Sequence, residues 1–138
     1  MDKRNLYIIG DILDFTPQVA RLVPMMNYAR HTTLTAVKNL TIPELDYLNN
    51  STGHLIGSLL LHIAAAEVGY QAATFYNRQL NENEKHEWDA ALALSEKTRQ
   101  EIKGYDLDHY LNKLKQVRAK TLAELTIVNI NICLAYQQ

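Results

Sequence analysis

Apolar positions along this chain recur at helical spacing, three and four apart, with no sustained alternation of the kind a half-buried strand needs. Thr16-Pro17 reads as an N-cap followed by proline at the first helical position. It predicts a helix over 17–40, bent or broken at Pro24, with Met25, Tyr28, Ala29, Leu34 and Val37 as its apolar positions. Thr41-Ile42-Pro43-Glu44-Leu45 is a turn or a short helix start, and 48–53 is a polar break. From His54 to Arg78 there is no proline, and charge occurs only at Glu67 and Arg78, so a central helix with an almost wholly apolar middle is predicted there. A more polar helix over 84–103 follows, anchored by Trp88, Ala91, Leu92, Leu94 and Ile102 and ended by Gly104. Asp106 or Asp108 then caps a fourth helix through about Leu125, with Tyr110, Leu111, Leu114, Val117, Thr121 and Leu122 at helical intervals. The last 13 residues, 126–138, carry no charge and settle no period, and read as a separate short apolar helix or strand.

Composition narrows the class. The chain of 138 residues fits one domain, 1–138, with 47% hydrophobic and 21% charged residues, the balance of a folded soluble protein. Only 5 glycines and 3 prolines leave room for long helices and too few turns for a β-sandwich, so the expected class is all-α. Fourteen basic against 15 acidic residues give a net charge of −1, which excludes a generic basic nucleic-acid binder. The longest apolar run, Leu59 to Ala66, is too short to span a bilayer and contains His62, and the opening residues do not form a signal-peptide core. With one cysteine, Cys133, there is no internal disulfide, and a cytoplasmic protein with no nucleic-acid or membrane partner is expected.

Candidate chemistry is sparse. No two of His31, His54, His62, His86 and His109 lie three or four apart, so no helix face carries a histidine pair. His62 stands out because Ala65, Ala66 and Gly69 share its side of the helix and leave room for a ligand or a close neighbour; a core histidine satisfied by one hydrogen bond is the competing explanation. Glu67 suits a pair across helices with Arg30 or Lys38. Asp106-x-x-His109 and Glu82-x-x-x-His86 have ligand-like spacing, but both fall at helix starts, where capping and solvation account for them. The alternating charges of 96–120 read as a solvated helix surface.

Four stretches resemble the DinB/YfiT-like family of metal-dependent four-helix-bundle proteins, over about residues 15–125. Tyr28-Ala29-Arg30-x-Thr32-Thr33-Leu34-x-Ala36-Val37 is similar to its first helix, and the run from His54 to Glu67, with Leu60-Leu61-His62-Ile63-Ala64, to its second. Trp88-Asp89-Ala90-Ala91-Leu92 resembles a crossover helix, and Val117-Arg118-x-x-Thr121-Leu122-x-x-Leu125 the third core helix. The resemblance implies a four-helix bundle with a crossover helix, the last core helix here being short or incomplete. It also implies a divalent metal (zinc, nickel or another) held by three histidines and used to transfer low-molecular-weight thiols. His62 matches the first ligand, whereas no histidine follows His109 to match the other two.

The expectations are therefore a DinB-like bundle, nominally a thiol S-transferase, with His62 its one matching metal ligand and weak or absent metal affinity. The alternatives are a non-catalytic dimerisation or stress-response scaffold and a small-ligand binding bundle with His62 as a hydrogen-bonding group. A homodimer is expected, burying Ile127, Val128, Ile130, Ile132 and Leu134 where a fourth helix would pack.

Overall fold

The computed structural model describes residues 8, 9, 12 and 15–135, with side chains through residue 127. Six helices follow in chain order: α1 (Pro17–Ala36), α2 (Ile42–Leu45), α3 (Ile56–Phe75), α4 (Glu82–Ala93), α5 (Glu96–Glu101) and α6 (Leu107–Ala135). There is no strand among the described residues, so the all-α class holds. No helix among them is long and apolar enough to cross a membrane. The chain forms two compact units, one of residues 39–121 and one of residues 1–38 with 122–138.

In the larger unit the direction of each helix follows from its contacts. Gly57 meets Tyr110, Glu67 pairs with Arg118, and Gln71 reaches Thr121. Both members of these pairs advance together, so α3 runs parallel to the first half of α6. Parallel neighbours cannot be joined by a tight turn, and α4 makes the return journey. Its contacts descend as the partner ascends: Glu87 bonds Lys113 at 2.9 Å while Arg78, just past α3, holds Glu84 at 2.7 Å, and Ala91 meets His62 midway along α3. At the near end Gly104 N–H donates to Asp46 Oδ2 at 2.7 Å and Arg99 donates to the Gly53 carbonyl at 3.3 Å, which brings the chain back beside the start of α3 for α6 to begin.

The core of this unit is built from Leu45, Leu55, Leu60, Ala64, Ala65, Val68, Ala72, Trp88, Ala91, Ile102, Tyr110, Leu114 and Val117, all buried. The predicted anchors Trp88, Ala91 and Ile102 are among them. Gly57 lets the helices touch: a Cβ there would stand 2.5 Å from the Tyr110 hydroxyl. In the smaller unit α1 buries Ala20, Val23 and Pro24, and Val37 is buried just past its end.

Several expectations need correction. The predicted helix over 84–103 is two helices, because Leu94 takes left-handed backbone (φ 45°) and Ser95 starts α5. The tail is no separate element through residue 135: α6 continues through Thr126 without a break for 29 residues. An uncharged β-branched run lowers helix propensity but does not stop a helix that lacks proline and glycine. α1 runs through Pro24 unbroken and ends at Ala36 rather than 40, and Met25, Tyr28 and Leu34 are exposed, its buried face being set by Ala20, Val23 and Pro24. Thr16 as N-cap with Pro17 inside the first turn, Gly104 at positive φ, and Asp106 accepting the His109 N–H at 2.9 Å are as predicted. The side chains of Val128, Ile130, Ile132, Cys133 and Leu134 lie outside the described residues.

Candidate functional site

His62 lies midway along α3 and is half-buried. Its Nδ1 is 2.8 Å from the carbonyl oxygen of Ala91, near the end of α4. A carbonyl only accepts, so Nδ1 carries a proton, and in the neutral tautomer compatible with this bond the lone pair is on Nε2. That is the tautomer a metal-binding or ligand-accepting imidazole needs, with its other nitrogen oriented by a backbone acceptor. Of the small residues on its side of α3, Ala65 is fully buried, whereas a Cβ at Gly69 would meet no described atom. Gly69 therefore borders open space instead of making room for a packed neighbour.

The other histidines are dispersed. His31 lies on α1 near Thr35 Oγ1, and His54 precedes α3 and is exposed. His86 is exposed on α4, and His109 stacks on Tyr105 with ring centroids 4.1 Å apart. Both ligand-like spacings serve the plainer purpose: Asp106 caps α6, and Glu82 pairs with Lys85 at 2.8 Å. Among the described residues no three His, Cys, Asp or Glu side chains gather into a group able to hold a metal ion. His62 suits one ligand position, but the described residues do not fit a metal centre around it.

A polar cluster between α3 and α6 escaped the reading of the sequence. Arg118 donates through Nε to Glu67 Oε1 at 2.8 Å and through a terminal nitrogen to Oε2 at 3.2 Å, a two-pronged pair with both side chains mostly buried. Thr121 Oγ1 adds a bond to Glu67 Oε1 at 2.6 Å. Gln71 Nε2 donates to the Val117 carbonyl and to Thr121 Oγ1, both at 2.9 Å. Because the Val117 carbonyl can only accept, the amide orientation is fixed, and Gln71 Oε1 is left buried without a partner. The pattern of 96–120 suggested a solvated surface, yet Arg118 faces inward. The available signal was Thr121, three residues on and on the same face, opposite the only acidic residue of α3.

Two further groups are electrostatically distinctive. Tyr110 is fully buried with its hydroxyl unpartnered, and burial, then the nearby Asp46 carboxylate, push its phenol up to about 12. Glu84 accepts from Arg78 at 2.7 and 3.0 Å and from the Asn81 N–H at 2.9 Å, which hold its carboxyl down to about 2. The first lies in the core and the second caps α4, so neither forms an open reaction site. Compared with known proteins, the chain matches no protein-family model, and no curated protein matches it.

Proposed function

We propose that this chain is a DinB/YfiT-like helical domain acting as a non-catalytic binding module that pairs with a second copy of itself through α3. The observation that carries this reading is an uncovered apolar stripe. Leu59, Ile63 and Tyr70 fall within about 40° of one another around α3 and are 40%, 39% and 73% exposed. The only charged residue of α3, Glu67, is engaged by Arg118, so the stripe meets its own copy without like-charge repulsion. The parallel α3–α6 pair with a returning α4 supports the DinB/YfiT-like part of the reading. Light scattering on the full chain tests it. A dimer is expected, with Ile63→Glu reducing it to a monomer of unchanged helicity; a wild-type monomer at high concentration rejects it.

A metal-dependent thiol transferase in the cytoplasm is the second reading. It is favoured by one observation, the His62 tautomer that leaves Nε2 open. It needs two ligands besides His62, supplied from outside the described side chains, and a low-molecular-weight thiol as substrate. A divalent ion there would stabilise the thiolate at neutral pH, and His62 would contribute one neutral imidazole nitrogen. One zinc or nickel ion per chain, lost in His62→Ala, is the expected result if this second reading holds.

A further inference from the structure

The implied three-histidine centre and the residues present disagree, and the position of His62 gives that disagreement a positive content. α4 ends at Ala93, and Leu94 turns left-handed without the freedom of glycine. The last turn of any helix has carbonyls with no N–H to receive, and it carries the negative end of the helix dipole. Two side chains from outside α4 reach these carbonyls. Thr98 Oγ1, in α5, donates to Ala90, and His62 Nδ1, in α3, donates to Ala91 at 2.8 Å. The Thr98 bond is local, eight residues away. The His62 bond spans 29 residues and ties the end of the returning helix to the middle of α3.

We infer that the His62 imidazole is the C-terminal cap of α4, fastening the returning helix to α3, and that this, not membership of a three-histidine metal centre, is its role in this chain. A donor is needed at that carbonyl, and only one ring nitrogen is used. An asparagine, whose amide nitrogen takes the place of Nδ1 one bond beyond Cγ, keeps a donor at that carbonyl while removing the imidazole lone pair.

The test uses the full chain with His62→Ala and His62→Asn. Amide exchange over residues 86–99, followed by mass spectrometry, is expected to speed up roughly tenfold in His62→Ala and to return most of the way in His62→Asn, as a lost and restored hydrogen bond requires. Zinc titrated alone is expected to bind wild type and His62→Ala equally weakly. Exchange unchanged in His62→Ala overturns the inference. So does one zinc per wild-type chain that is lost in both variants. If His62→Ala fails to fold, a His62→Asn variant with wild-type exchange still supports the cap, and one with fast exchange still overturns it.

Discussion

At the scale of single residues, the approach of Tyr110 to Gly57 in the α3–α6 seam sets the clearest expectation. A methyl group at Gly57 would collide with the Tyr110 ring, whose hydroxyl and adjacent ring carbons would lie 2.5 to 2.9 Å away. Gly57→Ala is expected to destabilise by about 1–3 kcal/mol through overpacking, despite better helix propensity, read as a lower denaturant midpoint. Tyr110→Phe acts in the opposite sense. It removes a buried hydroxyl with no partner and is expected to be neutral or to add up to about 1 kcal/mol. The phenol is raised from 10.0 to about 12 in the fold, so wild type loses stability as pH rises from the first value through the second. Tyr110→Phe should lack that component of the loss, which alkaline melts will show. Glu84 has the reverse sign. Its carboxyl is lowered from 4.5 to about 2, so its contribution is complete above 4.5 and fades as pH falls toward 2. Stability of Glu84→Gln should be flatter across that window than wild type. Gly57 and Glu84 were not singled out from the sequence alone. Burial of Tyr110 followed from spacing, but the close approach of its ring that Gly57 permits depends on a neighbour 53 residues away.

Among the elements, what was legible is what local chemistry decides. Proline at the first turn of α1, the Asp106 cap of α6 and the apolar middle of α3 are written in adjacent residues. The split between α4 and α5 was not read, since leucine rarely takes positive φ, although Ser95 beside it is a helix-capping residue. His62 was legible as a candidate, but its partner belongs to a helix 29 residues on. The inward turn of Arg118 was hidden for a related reason. A charge in a basic stretch looks solvated until the facing helix supplies a carboxylate. Because Glu67 and Arg118 are each mostly buried, Glu67→Ala should cost on the order of 2 kcal/mol by leaving Arg118 without its carboxylate. A double-mutant cycle with Arg118→Ala should recover part of that cost, and a coupling energy near zero would show that the pair adds nothing to the seam.

On the scale of the molecule, the parallel course of α3 and α6 governs how the chain finds its fold. The seam joins positions 46 to 54 residues apart, and the segment between them must travel out along α4 and return before any seam contact forms. Local pairs such as Arg78 with Glu84 and Thr98 with the Ala90 carbonyl bear no such entropic burden. The order of events should follow that difference. Substitutions at Asn81 and Glu84, at the start of α4, should slow refolding, whereas Gly57→Ala and Glu67→Ala should chiefly hasten unfolding, giving ratios near zero in a chevron analysis. The seam is then a latch that closes last, and the lifetime of the native state is set by how tightly it holds.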